Sequence, residues 1–332
     1  NSLNRNGTNV RVGLAYKFYV NDKNEIKNYF PINRIIWLPV SSSNFENIKL
    51  FPFIRTLIKK KNFTIIHSFD YLSHIVTAFC NVTMRNKIKI LSNVCGGDIK
   101  YNNQIMNGLP FSFPIVVFGQ QLKKKMISQL NFDPESIIVE NARVDIKKIH
   151  QSKNLFNVKT ENIKLMAKRK KIILHVTRVS YNKIKAILNS IAVANKLVKQ
   201  RDDFCLLLVG FVEDHNLYQL IRKKINSTII NKSDPHIIFI SHLYSGVNGI
   251  FKFSTIVIGV ARSAYYGMAN EKPIIILGEE GCSGIFDPYE KKNRTERMYS
   301  TNFSSRDQIN QINIKSELQS CITYLLDSEA ER

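Results

Sequence analysis

The chain has 332 residues, of which 44% are hydrophobic and 22% are charged, and its formal net charge is +22 at pH 7. This length suits two domains better than one core, and the composition is that of a globular rather than a disordered chain. No apolar run reaches the roughly 18–20 residues of a membrane span, so we expect no transmembrane helix and no cleaved leader. The absence of an initiator Met is compatible with a truncated start.

Strand-like and helix-like segments alternate along the first half of the chain. The helix-like segment at residues 50–61 would place Phe53, Ile54, Leu57 and Ile58 on one apolar face. The predicted strands lie at residues 9–20, 33–40, 63–70, 88–97, 113–119 and 136–145, and two further helices at 71–82 and 120–130. Strands that alternate with helices indicate a parallel sheet of the Rossmann type.

A polar and basic segment at residues 146–169 is predicted to be a linker, and the second half then repeats the alternation. Its predicted strands lie at 170–179, 203–211, 236–243, 254–260 and 272–278, and its helices at 181–200, 217–226 and 314–326. The apolar face of the first of these helices consists of Ile184, Ile187, Leu188, Ile191 and Leu197. A flexible polar loop is expected at Glu279, Glu280, Gly281 and Gly284. Two Rossmann-like domains of this kind are expected to face a central cleft, with ligands beyond the carboxyl ends of the strands.

Two cations follow the first strand of the second half. Arg178 comes just after the strand, and Lys183 stands at the start of the next helix, with Lys185 close by. A helix N-terminus carries partial positive charge and free N–H groups, and Arg and Lys beside it suit a diphosphate. Two ordinary surface cations would have the same spacing, so this alternative stays open.

Two more strand ends of the second half are candidates for donor binding. Gly210 ends an apolar strand and could let a nucleotide approach the backbone, although a plain turn explains it equally well. Arg262 and Ser263 precede a short helix, where backbone N–H groups face anions. Lys272 and Pro273 then end that helix and begin a buried strand.

Polar residues also stand at strand ends in the first half. His67 and Asp70 end the strand at 63–70, and His67 is a candidate general base, although a histidine at a strand end more often has a structural role. Gly96 and Gly97 form a turn that could approach an acceptor, and Arg143 lies near the junction of the two halves.

With these residues assembled, the chain resembles the bacterial glycosyltransferases of family 4, which have the two-domain GT-B fold. The similarity extends over nearly the whole chain and is weakest before about residue 60. The segments that carry it are "IIHSFDYLSHI", "PIVVFGQQLKKKM", "HVTRVSYNKIKAIL", "GVARSAYYGMANEKPIII" and "YSTNFSSRD". Each of these matches is weak by itself, and together they are specific.

The resemblance implies a hexosyltransferase that moves a sugar from a nucleotide sugar, UDP- or GDP-linked, with retention of the anomeric configuration. It implies residues 1–150 as an acceptor domain, 165–310 as a donor domain and 311–332 as a C-terminal helix. The implied acceptor is a surface glycan or a lipid-linked glycan, as in polysaccharide biosynthesis of the cell envelope. Neither a metal nor a separate cofactor is expected, since Arg178 and Lys183 would stabilise the leaving diphosphate.

The chain departs from the pattern of that family at the Glu-x7-Glu pair. Its two positions are Ile258 and Tyr266, and neither is acidic. A tyrosine offers one hydroxyl where a carboxylate accepts both ribose hydroxyls, so Tyr266, or Glu280 from the following loop, would have to replace that contact. Gly267 and Phe69 replace the Ala and the second His that are common in the family. The alternative function is therefore a catalytically inactive relative that binds a glycan or a partner protein.

Charge and cysteine usage restrict the partners and the compartment. The five cysteines are scattered and show no C-x-x-C spacing, which argues against a disulfide framework or structural zinc and favours a reducing cytosol. No nucleic-acid-binding motif accompanies the positive charge, so we expect no nucleic-acid partner. The basic helix at 50–61 could rest on the anionic inner face of a membrane, or it could be an ordinary packed helix with a lysine-rich end.

Overall fold

The structure is a computed structural model that describes fourteen segments of the chain. They are residues 12–17, 35–40, 51–61, 63, 65–69, 71–84, 88–94, 114–140, 144–151, 170–227, 235–241, 249–278, 281–286 and 314–328. The chain divides into two compact units, with the break close to residue 140. Among the described helices, none is both long and apolar enough to cross a membrane.

The described segments of the first unit contain six strands, all paired in parallel. Its strands are β1 (Val12–Lys17), β2 (Ile35–Val40), β3 (Ile65–Phe69), β4 (Lys89–Val94), β5 (Ile115–Val117) and β6 (Ile137–Val139). Strands β1 and β2 pair with each other, and β3 to β6 form a four-stranded sheet in the order of the sequence. Its helices are α1 (Phe51–Lys61), α2 (Tyr71–Thr83) and α3 (Gln120–Leu130). The parallel order follows from the alternation of strand and helix, which forces each strand to start again at the same edge.

Helix α1 buries a narrower face than the sequence predicts. Ile58 is 3% exposed and packs in a cluster with Val76 and Cys80 of α2. Phe53, which we placed on the same apolar face, is 50% exposed, so that part of the prediction is wrong. The aromatic ring that contacts α2 is instead that of Phe51, at the first position of the helix, which packs edge-on against Phe79 with 4.8 Å between ring centroids.

The second unit is built on a six-stranded sheet. Its strands are β7 (Lys171–Val176), β8 (Phe204–Gly210), β9 (Ile237–Ser241), β10 (Ile256–Gly259), β11 (Ile274–Leu277) and β12 (Cys282–Ile285). The sheet order is β12-β11-β10-β7-β8-β9, and all pairs are parallel except the edge pair β11–β12. Its helices are α4 (Ile146–Gln151), α5 (Ile184–Leu197), α6 (His215–Asn226), α7 (Arg262–Ala269) and α8 (Ile314–Asp327).

Alternate residues of these strands build a hydrophobic layer on each face of the sheet. One layer packs against α5, α6 and α8, and the other against α7. Strand β8 is buried at all seven positions, as a central parallel strand covered on both faces must be. The predicted apolar face of α5 is confirmed: Ile187, Ile191 and Leu197 are buried, and Ile184 and Leu188 pack at the margin of the same layer.

Two elements of the second unit were not predicted. The segment predicted as a linker contains α4, and the predicted polar loop after β11 contains β12. Strand β12 pairs antiparallel with β11, and the N–H of Gly278 donates to the carbonyl oxygen of Gly281 at 2.9 Å. Gly281 and Gly284 have φ angles of 154° and 82°, and the second of these favours glycine. The glycines therefore shape a hairpin edge, where the sequence had indicated a flexible loop.

Helix α8 is part of the core of the second unit. Leu318, Ile322, Leu325 and Leu326 are each at most 2% exposed. At its C-terminal end, Lys171 Nζ donates to the carbonyl oxygen of Leu326 at 2.7 Å. A lysine near the last turn satisfies a carbonyl that the helix leaves without an intrahelical partner.

Candidate functional site

The strand order of the second unit reverses direction between β7 and β10. Strands β8 and β9 lie on one side of β7, and β10 and β11 lie on the other. The loops that leave the carboxyl ends of β7 and β10 therefore diverge and open a crevice between them. Ligands of open α/β sheets bind at this topological switch point.

The turn after β10 is tied directly to the end of β7. Ser263 Oγ donates to the carbonyl oxygen of Val176, the last residue of β7, at 2.8 Å. This bond fixes the first turn of α7 against the point where the loop with Arg178 begins. Helix α7 starts without a side-chain cap, and although the N–H of Ser263 donates to the carbonyl oxygen of Val260 at 3.2 Å, the helix N-terminus keeps the partial positive charge that attracts an anion.

Ala261 holds this turn in a conformation that disfavours any residue with a Cβ. Its φ and ψ angles are 50° and −122°, and it directly precedes Arg262, the exposed first residue of α7. Such backbone strain persists only where the surrounding structure enforces it, and it is frequent at binding sites. Ala261 occupies the third position of the "GVARS" turn, and the sequence alone had not singled it out.

Arg178 lies beyond β7 with 66% of its side chain exposed. Its Nη1 pairs with Oε1 of Glu213 at 2.8 Å. The loops after β7 and β8 run on as a short extension of the sheet, in which Val179 donates to the carbonyl oxygen of Phe211 at 2.7 Å and Glu213 donates back to that of Val179 at 3.0 Å. Arg178 therefore stands on a backbone that both loops hold in place.

Lys183 precedes α5 and lies near a buried histidine. Its ammonium nitrogen is buried, and its backbone N–H donates to the carbonyl oxygen of Ser180. His175 in β7 is 1% exposed, with Nδ1 3.0 Å from Ser190 Oγ, which itself donates to the carbonyl oxygen of Ala186. Burial, followed by the charge of Lys183, lowers the pKa of His175 to about 4. The imidazole is thus neutral near pH 7.

We expect the stability of the protein to fall between pH 6.5 and pH 4 because of His175. In that range the unfolded histidine binds a proton that the folded histidine, with its pKa of about 4, does not. At pH 4 the free energy of unfolding should be lower by on the order of 3 kcal/mol than at neutral pH. Urea unfolding across this pH range measures it. His175→Asn should flatten the dependence, while His215→Gln, at an exposed histidine of α6, should leave it unchanged. A slope that survived His175→Asn would contradict the assignment.

Gly210 ends β8, and the fold itself requires a glycine there. A Cβ at this position would overlap the carbonyl oxygen of Thr177 and lie 2.9 Å from its carbonyl carbon. The space that we interpreted as room for a nucleotide is therefore filled by the backbone that follows β7. This close approach accounts for Gly210 without a ligand.

Tyr266 and Gly267 serve the packing of α7. The half-buried ring of Tyr266 lies 5.7 Å from that of Phe251, which is fully buried in the same hydrophobic layer. A Cβ on Gly267 would overlap Cδ1 of Ile274 and lie 3.2 Å from Val257 Cβ. Gly267 thus lets α7 lie close to β10 and β11.

His67 is the candidate base in the first unit, and the structure adds a partner for it. Its Nε2 lies 2.6 Å from Oδ1 of Asn93 in β4, and its ring stacks at 4.2 Å on that of Phe69. If Nε2–H donates to the amide oxygen, Nδ1 remains as the proton acceptor of the imidazole. In the same two strands, the hydroxyls of Ser68 and Ser92 share a buried hydrogen bond of 2.6 Å that joins β3 to β4.

Several predicted site residues lie outside the described residues. These residues are Asp70, Gly96, Gly97, Arg143 and Glu280. Within the described segments, Arg178, Lys183, Arg262 and Ser263 all follow the carboxyl ends of β7 and β10. Among the same segments, no group of three or more His, Cys, Asp or Glu side chains is placed to hold a metal ion.

Comparisons of sequence give no relative for this chain. No protein-family model matches it. No curated protein matches it either.

Solved structures, in contrast, match nearly the whole chain. A glycosyltransferase from Rickettsia africae ESF-5 matches with a TM-score of 0.65 and 18% identity, over 98% of this chain and 82% of that protein. A protein of Listeria monocytogenes provisionally assigned as a UDP-N-acetylglucosamine 2-epimerase matches with a TM-score of 0.64 and 14% identity, over 99% and 83%. HepE of Anabaena, solved in complex with UDP, matches with a TM-score of 0.57 and 12% identity, over 79% and 71%.

Sequence identities of 12% to 18% do not show a shared activity. The TM-scores show a shared fold. The two units of this chain, with their parallel sheets and flanking helices, superpose on all three neighbours with TM-scores of 0.57 to 0.65. The predicted fold class is confirmed: the chain has the GT-B fold, made of two Rossmann-like units.

Proposed function

We propose that this chain is a glycosyltransferase that uses a nucleotide sugar, with the donor bound by the second unit. The observation that carries the proposal is the hydrogen bond from Ser263 Oγ to the carbonyl oxygen of Val176. It brings the uncapped start of α7 to the end of β7, where the loop with Arg178 and Lys183 begins. Backbone N–H groups and two cations at one strand end form an environment suited to a diphosphate.

The chemistry follows from where charge develops during transfer. Cleavage of the bond between sugar and phosphate leaves negative charge on the nucleoside diphosphate. Arg178, Lys183 and the N-terminus of α7 stabilise that charge more strongly in the transition state than in the bound donor. In the retaining reaction that we propose, the departing phosphate also accepts the proton of the acceptor hydroxyl.

The donor that we favour carries UDP. HepE of Anabaena was solved in complex with UDP, and the protein from Listeria is provisionally assigned as an epimerase of a UDP-sugar. The fold therefore accommodates this nucleotide. We assign the acceptor, a surface glycan or a lipid-linked glycan, to the first unit. There His67, oriented by Asn93, is the group that would position an acceptor hydroxyl.

Arg178→Ala should weaken UDP binding about 10- to 150-fold, which corresponds to the loss of one charge-assisted hydrogen bond of about 1.5–3 kcal/mol. Titration calorimetry with UDP, at low and at moderate salt, measures this change. Arg222→Ala, at an exposed arginine of α6, removes the same charge and should bind UDP like the unchanged chain. An unchanged chain that binds no UDP at either salt concentration would rule out the proposed donor.

A second candidate function is favoured by one observation at the position of the missing carboxylates. Ile258 is fully buried, and Tyr266 packs its ring on Phe251, so both positions of the Glu-x7-Glu pair belong to the core. A chain without this pair could bind a nucleotide or glycan without turnover. Release of UDP from UDP-glucose in the presence of glycan acceptors, lost on Arg178→Ala, would exclude this candidate.

We also propose that the first unit rests on an anionic membrane at the cytoplasmic face. Exposed Phe53 and Phe79 lie on the packed helices α1 and α2, and exposed Lys59 and Lys60 stand in the last turn of α1. Lys59→Glu with Lys60→Glu should weaken co-sedimentation with anionic vesicles by at least about tenfold, since each nearby cation contributes about 1 kcal/mol. Lys223→Glu with Lys224→Glu, in the last turn of α6, is the matched control. Equal sedimentation with neutral vesicles would contradict the proposed surface.

A further inference from the structure

Two acidic residues after β8 hold the loop that follows β7. Glu213 pairs with Arg178, and Asp214 is hydrogen-bonded by the hydroxyl of Tyr181. We infer that Glu213 is a positioning residue, which fixes the guanidinium of Arg178 in the orientation that receives the diphosphate of the donor. This inference deepens the proposed function and rests on it.

The geometry of the pair leaves most of the guanidinium available. The contact joins Nη1 of Arg178 to Oε1 of Glu213 at 2.8 Å. Within the described part of the chain, Nη2 and Nε of Arg178 have no acceptor, and the side chain is 66% exposed. An arginine carries five N–H donors in a planar fork, so one edge can be held by Glu213 while another binds a phosphate in bidentate fashion.

Glu213 is itself placed on a rigid support. Its backbone N–H donates to the carbonyl oxygen of Val179 at 3.0 Å, and Val179 pairs in parallel with Val212. The next residue, Asp214, caps α6 by accepting from the N–H groups of Asn216 at 2.8 Å and Leu217 at 3.0 Å. The carboxylate of Glu213 therefore stands at the fixed start of a helix, and the arginine that it holds is fixed as well.

Tyr181 adds a second link between the same two loops. Its hydroxyl bonds to Asp214, which raises the pKa of the phenol. The capping N–H groups, Leu217 first, lower the pKa of Asp214, so this carboxylate stays charged as an acceptor. The contact of Arg178 with Glu213 is thus supported by the backbone hydrogen bonds between the two loops and by the capped start of α6.

A carboxylate next to an anion site has two opposite effects, and they can be separated. Its charge repels the diphosphate, whereas its hydrogen bond orders a long side chain that would otherwise lose freedom on binding. Glu213→Gln removes the charge and keeps an acceptor at the same place. Glu213→Ala removes both.

The test is UDP affinity measured by calorimetry on the full chain. We expect Glu213→Ala to bind UDP about 3- to 10-fold more weakly, as for the ordering of one long side chain. Glu213→Gln should bind UDP as tightly as the unchanged chain, or more tightly. In the Arg178→Ala background, Glu213→Ala should cause no further loss, because Glu213 acts through Arg178.

Controls separate this inference from the proposed function. Asp202→Ala removes an exposed acidic residue at the other end of β8 and should leave UDP affinity unchanged, and unfolding midpoints identify any variant that is merely less stable. If the unchanged chain binds UDP and Arg178→Ala weakens it while Glu213→Ala does not, the positioning role is overturned and the function stands. A loss from Glu213→Ala that persists in the Arg178→Ala background also overturns it. If the unchanged chain does not bind UDP, both are overturned.

Discussion

Gly210→Ala should destabilise the protein by about 3 kcal/mol or more, because the new methyl group has no space at the end of β8. It would overlap the carbonyl oxygen of Thr177 and lie 2.9 Å from the carbonyl carbon. Both are backbone atoms, and the N–H of Thr177 already donates to the carbonyl oxygen of Val209 at 3.0 Å. Neither strand can move aside without breaking the ladder between β7 and β8. Urea unfolding followed by far-ultraviolet circular dichroism measures the change.

Gly267→Ala is the matched substitution, and we expect it to cost much less. The nearest atom to its new methyl group is Cδ1 of Ile274, the far end of a flexible side chain. Rotation of Ile274 can relieve the overlap, and Ile274→Val in the same chain should recover part of the loss. Equal losses for the alanine variants at Gly210 and Gly267 would show that the backbone after β7 is more mobile than the hydrogen bonds indicate.

The behaviour of Gly210 affects how binding experiments are interpreted. A Gly210→Ala chain that no longer binds UDP would be explained by displacement of Thr177 and, with it, of Arg178. Loss of binding at this glycine therefore carries no information about contact with a nucleotide. Arg178→Ala and Glu213→Ala, which change exposed side chains and leave the backbone intact, are the informative variants.

Most strands and helices of the described segments could be predicted from the sequence because each buries a regular set of apolar residues. Strand β8 reads as an unbroken apolar run, and α5 shows the period of a helix. Helix α4 and strand β12 were missed for a physical reason. Strand β12 has only four residues and is held by pairing with β11, and α4 is a six-residue helix in a basic segment. Neither has enough apolar periodicity to be recognised alone.

The candidate site was predictable to the extent that it depends on strand ends. Arg178, Lys183 and Ser263 were identified because cations and helix starts after parallel strands meet at one edge of a sheet. Glu213, the partner of Arg178, and Asn93, the partner of His67, depend on which strands and loops lie side by side, and this follows from the strand order rather than from local sequence. Glu213 stands two residues after the end of a strand-like run, and that position was the one available signal.

Ile322→Asp should destabilise the protein by about 4 kcal/mol or more, because α8 is a structural part of the second unit. Ile322 is 2% exposed and lies in the layer that also contains Leu318 and Leu325. A carboxylate there would lose its water, and the hydrophobic layer offers no hydrogen-bond donor. The result to expect is a lower urea midpoint or an insoluble chain.

Tyr324→Asp provides the control for this prediction within the same helix. Tyr324 is 49% exposed, so the same new carboxylate would stay in water and should change stability by no more than about 0.5 kcal/mol. The contrast separates burial from helix propensity, since both variants place Asp in the same helix. Similar losses at the two positions would mean that α8 does not dock on the sheet. In that case the contacts at its end, from Lys171 to the carbonyl oxygen of Leu326 and from Arg201 to Asp327 at 2.7 Å, would not hold it in solution.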